Sequence, residues 1–470
     1  MKLSRAILAA AATLSLAACS NGASPDNDNA LDFKETERVA SADGTAASSK
    51  LFDESKKVYV AGDSLAEQWA AAKKAVEEGV PMLQGDSEEV NKEIDRLGAE
   101  AERVDADKAK QEAPEDLSED NIVQKIVELK PKKDREGEPI LINSTTSVAS
   151  AATARAIGAP LNLLMGSDPR ESELVMENPD TEVLAIGPGF VEEEDFDTRL
   201  ELAHNGELPG GGGLVFPGRR MIALYGHPSG GALGVMGEYK PEDAVEHAKE
   251  LIAQYQPMES QPVIPAFEII ATVAAAEPGP DGDYSNEADP EELIPYIDAI
   301  TEAGGYAVLD LQSGQSDFLK QAKLYEDLLK RPNVGLALDP EWRINPGEVP
   351  MQRVGNVEAE EINETSEWLA NLVRENNLPQ KALVLHQFQV QMIQNRDDLN
   401  VSYPELAFVL HADGHGTPEQ KFDTWNVIRQ ELQPEIFMAW KNFYDEDQPM
   451  FTPEQTYEDV QPRPWFVSYQ

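Results

Sequence analysis

After Arg219 the chain repeats one theme: a short apolar run that ends on a polar or charged residue. Met221 to Tyr225 runs into Gly226-His227, and Val263 to Phe267 into Glu268. Tyr306 to Leu309 runs into Asp310, and Val334 to Leu338 into Asp339-Pro340-Glu341-Trp342. Ala382 to Leu385 leads to His386, Leu406 to Leu410 to His411-Ala412-Asp413, and Ile436 to Ala439 to Trp440-Lys441. Trp465 to Tyr469 closes the series. Helical stretches fit between most of these runs: Pro241 to Tyr255, Pro290 to Ala303, Ser316 to Leu329, Ala359 to Asn376 and Pro418 to Glu431. Strands that alternate with helices must pair in parallel, and eight of them in about 250 residues is the size of a (β/α)8-type barrel. Residues 214–470 are therefore expected to form one.

Residues just past the strand ends of such a barrel face its active-site mouth. Here they are Glu268, Asp310, Asp339, Glu341, His386, His411 and Asp413. Asp339-Pro340 and Asp413-Gly414 are also common turn pairs, so some of these residues have a structural reading. Asp339-x-Glu341 is the sharpest pair. Residues two apart at a strand end point the same way, and one carboxylate can raise the pKa of the other until it serves as a general acid. Glycosidic cleavage requires such an acid.

The pair resembles the Asp-x-Glu at the fourth strand of chitinase-like and lysozyme-like barrels. That resemblance implies Glu341 as proton donor and Asp339 as the group that orients a substrate acetamido group or assists the acid. Asp310, Glu268, His386 and Asp413 would contact substrate, and Trp342 and Trp440 would line a sugar face. This reading needs no cofactor and no metal. The seventh strand carries Lys441 in place of the Glu seen in many glycosidases. A rival reading makes His227, His386, His411 and an Asp the ligands of a metal-dependent hydrolase, although the His-x-His expected at its first strand is missing. His415 reads as a loop residue. Pro209-Gly210-Gly211-Gly212-Gly213 reads as a turn, because it lacks the strand, helix and Lys-Ser/Thr of a phosphate loop.

The first half carries a faint internal repeat. Lys57 to Ala61 reads as a strand, Ser64 to Glu78 as a helix with Leu65, Trp69, Ala72 and Val76 on one face, Val80 to Leu83 as a strand and Glu88 to Leu97 as a helix. Pro139 to Asn143, Ser147 to Ile157 and Leu161 to Leu164 repeat the order, and Thr181 to Gly187 adds a strand. Gly79-Val80-Pro81 and Gly158-Ala159-Pro160 hold the same place in the two copies. The charged stretch from Glu100 to Gln111 reads as exposed. Arg38-Val39-Ala40-Ser41-Ala42-Asp43-Gly44-Thr45-Ala46-Ala47, Val58-Tyr59-Val60-Ala61-Gly62-Asp63 and Ile94-Asp95-Arg96-Leu97-Gly98 resemble, in order, segments of cell-wall-binding repeat 2. The resemblance covers Thr36 to Phe190 and implies noncovalent binding of a wall polymer in a Gram-positive envelope. Residues 36–205 are expected to form this parallel βαβ repeat domain.

Cys19 is the only cysteine of 470 residues. It follows Lys2, Arg5 and an apolar run from Ala6 to Ala18, too short for a membrane span and shaped like an export signal. Leu16-Ala17-Ala18-Cys19 resembles a bacterial lipobox. The resemblance implies a signal peptide over 1–18, a palmitate-bearing diacylglycerol on Cys19, a polar tether over 19–35, and residence on the outer face of the membrane. The formal charge of −47 argues against nucleic acid as a partner. The expectation is a lipid-anchored α/β surface protein that meets wall polymer or polysaccharide, with a barrel that cleaves it or only binds it.

Overall fold

The computed structural model describes residues 31–178 and 181–470. The expected signal peptide, Cys19 and most of the tether lie outside the described residues. The described residues form two compact units, one of residues 31–167 with Thr181–Glu193 and the other of residues 168–178 with Glu194–Gln470. The expected boundary at 205–214 therefore moves: 168–178 and 194–213 belong with the barrel. Arg170 shows why, since its buried guanidinium pairs with Asp168 at 2.7 Å and donates to the Pro404 carbonyl at 2.6 Å.

The first unit is built from two parallel sheets rather than one. In the first copy Lys57–Ala61 lies centrally, between Met82–Gln84 and Glu100–Arg103. In the second Ile140–Ile142 lies centrally, between Leu161–Leu163 and Leu184–Ile186, and Glu37–Val39 extends the edge. The two copies match down to their turns. Ser64 and Ser147 cap the helices Leu65–Glu78 and Val148–Ile157 by accepting from Glu67 N and Ser150 N. Gly79 and Gly158 end those helices at φ of 69° and 79°, a left-handed bend that glycine makes without a steric penalty. The following prolines, Pro81 and Pro160, then accept from Tyr59 N at 3.1 Å and Ile140 N at 2.8 Å. Glu100–Arg103, expected as an exposed charged stretch, is an edge strand.

The second unit is a closed barrel of eight parallel strands: Arg220–Gly226, Val263–Ala274, Tyr306–Leu311, Val334–Leu338, Lys381–Gln387, Leu406–Ala412, Phe437–Asn442 and Phe466–Tyr469, the last pairing back onto the first. Following the register once around the barrel displaces it by eight residues, the shear of a TIM-type barrel. A short strand, Ser285–Glu287, runs antiparallel against the end of the second barrel strand.

Alternation sorts the strand residues into two cores. Ile222, Leu224, Phe267, Ile269, Leu309, Leu336, Leu385, Leu410, Trp440 and Val467 face outward and pack under the helices. Met221, Ala223, Ile264, Ala266, Tyr306, Val308, Ala337, Val384, Val409, Ala439 and Phe466 face inward and fill the lower barrel. The floor is closed by Leu208, Val215 and Phe216. There the glycine turn folds around Arg219, whose guanidinium donates to the carbonyls of Pro209, Gly211 and Gly212. That accounts for the glycines without a ligand.

Candidate active site at the barrel mouth

One step above the small apolar layer, the inward position of every barrel strand turns polar. In strand order these residues are Tyr225, Glu268, Asp310, Asp339, His386, His411, Lys441 and Ser468, all at most 3% exposed. Several are in register across the sheet: Tyr225 with Glu268, His386 with His411, and Lys441 with Ser468.

His386 is the hub. Its Nε2 lies 2.7 Å from Glu268 Oε1 and its Nδ1 lies 2.8 Å from Asp413 Oδ2. With a carboxylate at each nitrogen, the ring carries both protons. Burial pulls its pKa down, yet Glu268, Asp310 and Asp413 outweigh it and raise the pKa well above the ordinary value. His411 stacks on His386 with centroids 4.6 Å apart, and its Nε2 lies 2.9 Å from Ser468 Oγ. Burial drives its pKa down to about 3, so it stays neutral. Lys441 holds its ammonium 3.0 Å from Asp413 Oδ1 and 3.6 Å above the Tyr225 ring. Burial opposes its charge, but Asp413 and Glu268 keep its pKa raised.

The carboxyls divide into two groups. For Glu268 and Asp413 burial favours the neutral form, but the neighbouring cations win and both stay ionised. In Asp310, Asp339 and Glu341 burial prevails. Asp310 is pushed up to about 6 although Tyr225 donates a hydrogen bond to it at 2.8 Å. Asp339 is raised well above the ordinary range by burial, with Asp310, Glu341 and Asp413 adding to it. Glu341 is raised to about 7, first by burial and then by the charge of Asp413.

The candidates Glu268, Asp310, Asp339, His386, His411 and Asp413 therefore meet in one cluster, and Glu341 stands at its half-exposed edge. Three expectations need correction. Glu341 lies on a 3-10 turn, Pro340–Trp342, capped by the Asp339 side chain, so the pair does not project from one strand face. The charge that lifts Glu341 comes from Asp413 and not from Asp339. Trp440 lines no sugar face: it is buried on the outer side of the seventh strand, against Phe422, Trp425 and Phe451. Trp342 is half-exposed beside Glu341.

Tyr225 and Ser468 escaped the sequence reading because they carry no charge. Two-residue spacing from the apolar inward positions, Ala223 to Tyr225 and Phe466 to Ser468, was the signal that locates them.

As to metal, ligand atoms of His386, His411 and Asp413 lie within 4.8 Å of one another. However, both nitrogens of His386 already face carboxylates, and an ion would have to displace a proton held unusually tightly. His227, the third expected ligand, is outside this group and hydrogen-bonds Ser229 at 2.9 Å. The cluster fits an ion poorly in this arrangement. No protein-family model matches the chain, and no curated protein matches it.

Proposed function

We propose that the barrel is a glycoside hydrolase of envelope polysaccharide, with Glu341 as its general acid. The protein would be held at the outer membrane face by lipid on Cys19 and at the wall by its N-terminal repeats. The observation that carries the chemistry is the half-exposed Glu341 carboxyl, with a pKa raised to about 7, at the rim of a buried charged cluster. An acid of that strength keeps its proton near neutral pH and can release it to a departing glycosidic oxygen. Asp339, kept protonated below it, can donate as well as accept a hydrogen bond, which suits the holding of an acetamido group. Glu268 and Asp413 stay ionised against His386 and Lys441, so their charge is balanced within the cluster and the proton-donor chemistry rests on Glu341.

The test is hydrolysis of wall glycans and chitin-like oligomers by the purified chain and by Glu341→Gln. Loss of about 10²–10⁴ in rate, with the fold intact, is the expected result. A wild type inert on a broad glycan panel overturns the proposal and leaves a barrel that binds polysaccharide without cleaving it. A second reading rests on the convergence of His386, His411 and Asp413. A metal-dependent hydrolase would lose activity on chelation and keep it in Glu341→Gln. The anchor has its own test, since Cys19→Ala should release the protein from membranes or leave the signal uncleaved.

A further inference from the structure

The loop that follows the second barrel strand carries a cluster unrelated to the mouth chemistry. Asp281, Asp283 and Glu287 each turn a carboxylate oxygen into one small volume, all within 4.8 Å of one another. Asp281 and Glu287 are exposed, but Asp283 is only 8% exposed. Its Oδ1 accepts from Ser285 N at 3.0 Å, whereas its buried Oδ2 accepts no hydrogen bond. The exposed Lys320 ammonium forms long ion pairs with both aspartates, 4.0 Å from that oxygen and 3.8 Å from Asp281 Oδ2. Glu287 is steadied by Gln321, whose Nε2 donates to its Oε1 at 3.2 Å.

A buried carboxylate oxygen that accepts no hydrogen bond costs free energy, and two like charges beside it add to the cost. One mobile ammonium at the limit of an ion pair offsets little of this. We propose that Asp281, Asp283 and Glu287 bind a calcium ion. Three carboxylates with no nitrogen or sulfur donor select a hard cation. The spacing suits an ion that takes oxygen ligands at about 2.3–2.6 Å, and the open side leaves room for the waters that complete its shell. Magnesium demands a more regular octahedron than one loop and a two-residue spacing offer. The ion would tie Ser285–Glu287 down where it pairs with the end of the second barrel strand, whose earlier residue Glu268 belongs to the mouth cluster.

The experiment uses the full chain stripped of metal, with calcium and terbium as probes. Tyr284 sits between two residues of the site and should sensitise terbium luminescence, and calcium should quench it by displacement. Affinity in the range of extracellular modules, a Kd of about 10⁻⁴–10⁻³ M, is expected, with a rise in melting temperature on adding calcium. Asp283→Asn keeps the acceptor for Ser285 N, so the loop retains its fold. It and Glu287→Gln should each weaken binding at least about tenfold. Because the chain is so acidic, loose calcium binding elsewhere is inevitable, and the difference between wild type and these variants isolates the site. Equal binding by wild type and Asp283→Asn, or equal displacement of terbium by magnesium, overturns the proposal. Neither outcome bears on Glu341.

Discussion

His386 and Glu268 meet at 2.7 Å with neither side chain exposed to solvent. The pair is the electrostatic keystone of the barrel mouth, because removing the imidazolium strands the ionised Glu268 in the interior and leaves Asp413 with Lys441 as its ion-pair partner. Breaking a buried pair from one side costs about 3–5 kcal/mol. His386→Ala should destabilise the barrel by that order, read as a drop in denaturant midpoint. The pH dependence has a definite sign. The folded pKa of His386 is raised, so its contribution is complete below the ordinary 6.5 and fades as pH climbs through the folded value. Glu268 is lowered, so its contribution is complete above the ordinary 4.5 and fades as pH falls through the folded value. Between these limits the raised carboxyls of Asp310, Asp339 and Glu341 make wild-type stability slope downward as pH rises toward their folded values, and the further alkaline decline due to His386 should vanish in His386→Ala.

If Glu341 donates the proton, kcat/KM should fall as pH rises past about 7, where that carboxyl ionises. After burial, Asp413 is the main influence holding the pKa up. Asp413→Asn should move the alkaline limb toward lower pH. A pH–rate profile of that variant, taken where circular dichroism shows an intact fold, checks it. An unmoved limb would assign the titration to another group.

The two tryptophans make opposite forecasts. Trp440 is buried among aromatic rings beneath the helices, so Trp440→Ala should cost about 3–5 kcal/mol. Trp342→Ala, at a half-exposed turn, should change stability by less than about 1 kcal/mol and raise KM on oligosaccharides. Urea titration and steady-state kinetics separate the two effects.

The repeat can be probed through its matched glycines. A Cβ at Gly158 would stand 1.9 Å from the Lys133 carbonyl oxygen, which cannot yield without backbone movement. At Gly79 the nearest atom is the flexible Lys132 Cδ, 3.3 Å away. Gly79→Ala should cost about 1–2 kcal/mol, the price of a left-handed alanine, and Gly158→Ala clearly more. Hydrogen exchange of the first unit is the measurement.

The sequence disclosed much of this because its punctuation is local. Ser64 and Ser147, Gly79 and Gly158, Pro81 and Pro160 mark starts and stops that depend on nearest neighbours alone. All eight barrel strands were legible as apolar runs, but Glu268 and Asp310 lie inside their strands, not beyond them. Charge ended the run on paper, whereas pairing continues through a residue whose partner arrives from another strand. Glu100–Arg103 was missed for the same reason in reverse: an edge strand with exposed charges has no apolar alternation to show. Trp440 was assigned by residue type when strand parity, with Ala439 and Lys441 facing inward, already excluded it from the mouth.

That parity has an evolutionary reading. Along the seventh strand Met438 and Trp440 carry stability, while Ala439 and Lys441 line the interior. The two tasks are written in alternate letters of one text. Substitutions at the mouth can rewrite the chemistry and leave the outer packing unread, so such a barrel can try new reactions cheaply. A single-residue deletion before Met438 would do the reverse, turning Trp440 into the small apolar layer of the barrel interior and Lys441 under the helices, and would forfeit scaffold and chemistry in one stroke.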